Sequence, residues 1–405
     1  MRVLLVLHEF PKASEAFLVD QFLGLLERGV DAQLLAEIER PEAYRLYPQL
    51  SAPDVRRRIH TRPGRERAWR LPFVAAARLA RAFPRAPLTT LRALLGEVLR
   101  SPIAAPGRLA LGARWIALAP DLVHFEFGTL AAHWIDWPRW TRTPFVASFR
   151  GFDLESHALD EPGFYDRVWR EASGLHVLGE DLAGIAAQRG WDGSVPLTRI
   201  TPAVDSQRFD SAARPGRALG TADAPLRIVS VGRLHPKKGH EFALRAVRAL
   251  VDEGRVVEHR VVGEGPLGES LRALARELEL EGIVTWTGAL PRSAVVEELG
   301  RADVLLHASI EEGFGNAVLE AQACGLPVVC SDATGLGESV AHGETGFVLP
   351  RRDPAALADA LGQLAMDGEL RQRMGAAGRA RVLARFTPAA QLDAFLAFYE
   401  RALRR

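Results

Sequence analysis

Only two cysteines, Cys324 and Cys330, stand in the 405 residues. They cannot form a disulfide framework, and their C-x5-C spacing matches no zinc motif, so a reducing cytoplasm is the expected home. Apolar runs of about 18 uncharged residues are missing too, which removes a transmembrane helix. The apolar opening, residues 1–8, is too short for a secretory leader. It leads into Phe10-Pro11-Lys12 instead of small residues, so it reads as a buried strand. Net charge is nearly missing as well: 51 basic residues against 50 acidic ones leave +1, which argues against a nucleic-acid binder.

What remains is the composition of a globular chain, 48% apolar and 25% charged, at a length about right for two domains. Short apolar runs alternate with amphipathic stretches. Their spacing predicts strands over 2–8, 32–38, 122–127, 145–149, 175–178, 227–231, 259–262, 284–287, 304–307 and 327–330. Helical patterns lie between them, such as 15–28, 241–251 and 270–280. This alternation implies an α/β protein with parallel sheets and helices on both faces. The pattern breaks near 206–225. Residues 207–225 are rich in Arg, Ala, Gly, Asp and Pro without an apolar period, which reads as part of a linker.

Residues 55–115 stand apart, with fourteen arginines, no lysine and two acids, Glu66 and Glu97, a local net of +12. Trp69, Phe73, Phe83, Leu94, Leu95 and Trp115 fall in its helical stretches. Two readings stay open: a solvated helical insertion, or a basic amphipathic surface resting on anionic lipid.

The densest chemical signal runs from Ser309 to Val329. An apolar strand ends, and the loop Glu312-Gly313-Phe314-Gly315 follows. A helix from about Asn316 to Cys324 comes next, with Asn316 as the expected N-cap and Gly325 as the stop. A helix start beyond the C-terminal end of a parallel strand offers backbone N–H groups to phosphate. Gly313 and Gly315 let the backbone approach a ligand. Glu312 and Glu320 suit sugar hydroxyls better than phosphate; solvated surface glutamates are the bland alternative.

With seven residues between them, Glu312 and Glu320 resemble the Glu-x7-Glu motif of family-4 retaining glycosyltransferases, and the flanking Glu-Gly-Phe-Gly and Glu-Ala-x-Ala-Cys-Gly-Leu-Pro-Val-Val extend the likeness. The resemblance implies the GT-B fold, two Rossmann-like domains facing across a cleft, with Glu312 near the donor hexose and Glu320 on the nucleotide ribose. Gly232-Arg233 through Lys238-Gly239 is similar to the family's Gly-Arg-x4-Lys-Gly. Arg233 and Lys238 would neutralise the leaving diphosphate in place of a metal. The chain has no Asp-x-Asp, the metal-holding motif of the other main glycosyltransferase fold. Gly263-Glu264-Gly265-Pro266-Leu267-Gly268 is literally a G-x-G-x-x-G, but Pro266 removes an N–H where phosphate would want one. The family reading makes Gly263 and Gly265 part of a turn beside the nucleotide pocket, and a dehydrogenase is set aside.

In the first half, Phe10-Pro11-Lys12-Ala13-Ser14-Glu15-Ala16-Phe17 resembles the opening of bacterial exopolysaccharide glycosyltransferases, with Ser14 as the expected cap of the first helix. His124, Glu126, Arg150 and Asp153 match positions that many relatives give to an acceptor side, although Glu126 and Arg150 replace histidines there. The last stretch, 388–405, resembles a terminal helix that packs back on the first domain. The implied domains are 1–205 with the 55–115 insertion, and 206–387 for the donor. The implied activity is retaining transfer of a hexose from a nucleoside-diphosphate sugar to a saccharide or lipid-linked acceptor, without metal or other cofactor, in the cytoplasm or peripherally on the inner membrane face. A nucleotide-sugar epimerase and a non-catalytic sugar-nucleotide-binding subunit are the alternatives.

Overall fold

The apolar runs pair into two sheets in which every ladder is parallel. In the computed structural model, which describes residues 1–12, 15–61, 69–209 and 216–405, the first sheet has the order β3-β2-β1-β4-β5-β6-β7. Its strands are β1 (Arg2–Phe10), β2 (Asp31–Glu39), β3 (Ile59–Thr61), β4 (Leu122–Phe125), β5 (Phe145–Phe149), β6 (Gly174–Val177) and β7 (Leu197–Arg199). The second has the order β10-β9-β8-β11-β12-β13. It comprises β8 (Leu226–Val231), β9 (Val257–Val262), β10 (Val284–Gly288), β11 (Val304–His307), β12 (Val328–Ser331) and β13 (Gly346–Leu349). Central strands such as β4, β5 and β11 are buried along their whole length. Helices cover both faces of such a sheet, so its strands read as continuous apolar runs.

The two sheets fall in separate units: Met1–Val177, Ala183–Ile200 and Leu392–Arg405, and Leu178–Leu182 with Thr201–Gln391. In the first unit Phe22, Leu25 and Ile200 share a core with Leu392, Phe395, Phe398 and Tyr399 of the Pro388–Leu403 helix. In the second, Leu244 and Val247 of the His240–Asp252 helix pack with Leu361 and Leu364 of the Pro354–Met366 helix.

Two expectations change. The segment read as linker is partly core: Leu219 and Ala224 are buried in the second unit, and the Leu219 N–H donates to the Ala365 carbonyl at 2.7 Å. Residues 210–215 of it lie outside the described residues. In the arginine-rich insertion, Trp115 belongs to the core, against Phe125 and Trp137. The described part is not wholly helical: it supplies the edge strand β3, then the Leu71–Ala82, Pro87–Arg100 and Ala105–Leu118 helices.

Candidate active site

In the second unit, β8 and β11 are neighbours, so the loops leaving their C-terminal ends emerge side by side. The Lys238 ammonium and the Glu312 carboxylate meet there as an ion pair. The backbone holds the approach: the Ile310 N–H donates to the Lys237 carbonyl at 2.7 Å. His307, at the end of β11, lies 3.0 Å from the same Glu312 oxygen, and the Ser309 hydroxyl is 3.0 Å from His307 Nε2. Burial alone would raise the Glu312 pKa. Lys238 and His307 outweigh it and hold the carboxyl well below its usual range. A small cavity borders Lys238 and His307, lined also by Ser230 and His240 among others. His307 is a site residue the sequence reading missed. Its only signal was a polar side chain closing an apolar strand.

Gly315, not Asn316, is the N-cap of the Asn316–Ala323 helix. Its φ of +85° is a left-handed conformation that favours glycine. Asn316 is the first helical residue and is exposed. First-turn N–H groups lack intrahelical acceptors, so this end can receive an anion. Glu320 lies on the same helix, with Arg292 Nη2 at 3.5 Å. Arg292 opens the Arg292–Arg301 helix and was not foreseen. The Phe314 ring is buried against Phe386, so its backbone is what it can offer a ligand. Gly313 remains in the loop, where its carbonyl lies 2.6 Å from a Cβ built on Gly335, so its backbone packs on protein. Arg233 is exposed on the loop after β8, beside Gly232.

The G-x-G-x-x-G stretch has its own explanation. A Cβ on Gly263 would stand 2.0 Å from the Gly232 carbonyl oxygen, and one on Gly265 would stand 2.5 Å from that of Leu234. These glycines let one loop lie flat on the next. No phosphate is needed to account for them.

The first-unit residues separate. His124 is fully buried, 2.8 Å from the Tyr399 hydroxyl and 2.7 Å from that of Ser148. Burial, with His176 and Arg150 nearby, drives its pKa well down, so it is a neutral core histidine and not a surface contact for an acceptor. Asp153 is corrected likewise: it is fully buried, and its oxygens accept the Thr129 and Arg150 N–H groups, both at 3.0 Å. Its work is to fasten the Gly151–Glu155 helix. Ser14 lies outside the described residues, and Glu15 takes the cap position of the Ala16–Glu27 helix.

Arg150 and Glu126 do come together, at 3.0 Å. The guanidinium lies over the Phe17 ring, 4.3 Å from its centroid, and Gln21 donates to Glu126 at 2.8 Å. Burial pushes the Glu126 carboxyl up to about 7 despite Arg150 and Gln21. The folded state then holds this proton more tightly than the unfolded chain, whose value is 4.5. Stability from this group therefore falls as pH rises from the unfolded value through 7, and is level above. Glu126→Gln is expected to flatten that slope. Unfolding free energies from denaturant titrations should shift in the variant's favour between pH 5 and 8 by on the order of 2–3 kcal/mol; parallel wild-type and variant profiles would contradict the assignment.

Among the described residues no group of three or more His, Cys, Asp or Glu could hold a metal ion, and no helix is long and apolar enough to cross a membrane.

Comparison with known proteins gives a class. The fold is GT-B, two Rossmann-like parallel-sheet domains. It aligns over 99% of this chain and 99% of Anabaena Alr3699/HepE, solved in complex with UDP and glucose, at a TM-score of 0.71 and 17% identity. Residues 217–381 match the family Glycosyl transferases group 1, and the chain carries that family's domain. The amylovoran biosynthesis glycosyltransferase AmsK of Erwinia amylovora is 27% identical over 86% of this chain and 87% of its own. A GDP-mannose-dependent α-(1-6)-phosphatidylinositol monomannoside mannosyltransferase of Mycolicibacterium smegmatis is 34% identical over 46% of this chain and 51% of its own. The chain spans about half the length of several curated relatives it matches.

Proposed function

We propose that the chain is a retaining glycosyltransferase that moves a hexose from a nucleoside-diphosphate sugar to an acceptor hydroxyl. The observation that carries this is the Lys238–Glu312 pair at the C-terminal ends of adjacent parallel strands, with a helix start following in the same loop. As the bond from the anomeric carbon to the phosphate oxygen breaks, negative charge grows on the diphosphate. Lys238, Arg233 and the N–H groups at Asn316 receive that charge without a metal. Glu312, kept ionised by Lys238, accepts from a sugar hydroxyl, and Glu320 accepts from the ribose. The acceptor oxygen bonds to the anomeric carbon on the same face, and its proton passes to the departing phosphate oxygen. This route needs no separate base. The AmsK likeness supports an acceptor in exopolysaccharide assembly, a saccharide or lipid-linked saccharide on the cytoplasmic side.

The test is a binding and transfer screen with nucleoside diphosphates and their hexoses. Glu320→Gln is expected to weaken binding of the preferred donor about ten-fold, the scale of one hydrogen bond to a charged group, while binding of the free sugar stays unchanged. Equal donor affinity in wild type and variant would remove Glu320 from the site.

A further inference from the structure

The Pro87–Arg100 helix is turned inside out. It buries Thr90, Ala93 and Glu97 and exposes Leu88, Leu91, Leu95, Val98 and Leu99. The orientation is fixed from within, because the fully buried Glu97 carboxylate accepts from Arg108 at 2.8 Å and from the Trp137 indole at 2.6 Å. Steps of three and four residues place the leucines on one stripe. The neighbouring Leu71–Ala82 helix repeats the arrangement. Ala75, Leu79 and Ala82 face inward, while Phe73 is 70% exposed, and Trp69 and Phe83, flanking the helix at its two ends, are exposed by 66% and 50%. Both helices pack on the Ala105–Leu118 helix, so both stripes turn away from a common support. Beyond them Ile103 is 96% exposed.

Such clustering is not incidental exposure. Nine of the seventeen exposed large apolar side chains of the described residues fall between Trp69 and Ile103. A surface of this kind is covered by a partner or a membrane. Charge decides which. Residues 69–104 contain six arginines and one acid, Glu97, which is spent on Arg108. Arg70, Arg81, Arg85 and Arg92 are exposed around the stripes. Apolar side chains bordered by cations of one sign complement a bilayer whose acyl region lies under anionic phosphates.

We propose that the Leu71–Ala82 and Pro87–Arg100 helices dock the protein on a bilayer rich in anionic phospholipid, the leucines and aromatic rings entering the interface and the arginines meeting the headgroup phosphates. The surface stands independently of the reaction assigned above.

The test is co-sedimentation of the full chain with phosphatidylcholine vesicles, alone or with phosphatidylglycerol. Binding is expected on the mixed vesicles, and it should weaken as salt rises. Replacing Arg70, Arg81, Arg85 and Arg92 together with Gln should lower partitioning by at least about 100-fold, at roughly five-fold per arginine. Leu91→Asp with Leu95→Asp should abolish it while thermal unfolding and transfer to a soluble acceptor are unchanged. Equal binding to both vesicle types, or none to either, overturns the proposal. So does a solution dimer that the aspartates split while vesicle binding persists, which would make the face a contact between copies.

Discussion

Lys238→Ala should lower turnover by roughly 10²–10³-fold with the fold intact, the scale seen when one preorganised group facing developing charge is removed. The ammonium has two duties in this geometry. It pairs with Glu312 and keeps that carboxyl ionised against the effect of burial. In the reaction proposed above it also faces the departing diphosphate as that gains charge, and this second duty is stronger in the transition state than in the bound substrate, so turnover should fall more than donor affinity. Without Lys238 the Glu312 carboxylate keeps, among the described residues, His307 and Ser309 within reach. Its pKa should move back upward, and residual activity should then be lost on mild acidification where the wild type is steady. Steady-state kinetics of a soluble, normally melting variant checks all of this. Turnover within three-fold of wild type would take Lys238 out of the chemistry and with it the metal-free route.

The sequence shows most of this site because its chemistry is local. Glu312, Gly315 and Glu320 occupy one loop and one helix, so a short stretch of chain carries their relation. The partners that cross the chain are harder to see. Nothing near Glu320 in sequence points to Arg292, which arrives from the start of another helix. His307 takes its meaning from contact with Glu312, which an apolar strand pattern hides. In the first unit the failure is burial. His124, Ser148 and His176 stand on the adjacent strands β4, β5 and β6 and satisfy one another, so motif-like polar residues were core. Glu126 and Arg150 survive as a pair because the Arg150 guanidinium reaches back across one strand spacing. The strands missed were β3, β7 and β13, each at a sheet edge. An edge strand pairs on one side only, so three residues such as Leu197-Thr198-Arg199 suffice without an apolar run. The inverted Pro87–Arg100 helix shows a further limit. Its period is plain in the sequence, yet periodicity cannot say which face is inside, and here Glu97 with its arginine and tryptophan partners decides.

Gly263→Ala should cost a large share of the stability. Gly263 has φ of +143°, a conformation essentially closed to other residues, which costs about 1–3 kcal/mol. A second cost follows from space, since the added Cβ would lie 2.0 Å from the Gly232 carbonyl oxygen, a backbone atom that cannot swing aside. Both loops are anchored. The Gly232 N–H donates to Val262 at 3.0 Å, the Gly263 N–H to Gly288 at 2.9 Å, and the Leu234 N–H to Glu264 at 3.0 Å. Relief of the clash therefore breaks a ladder that fixes the loop carrying Arg233 and Lys238. The sum should reach about 3–5 kcal/mol, a large share of a domain's stability, and lower the melting temperature by roughly 10 °C or leave the chain insoluble. Gly254→Ala separates strain from clash. Its φ is +79°, but nothing lies within 4 Å of the new Cβ, so the loss should stay near 1 kcal/mol. Comparable melting of both variants would mean that the two loops can part freely. Lys238 would then lack the rigid support that charge stabilisation at the diphosphate requires.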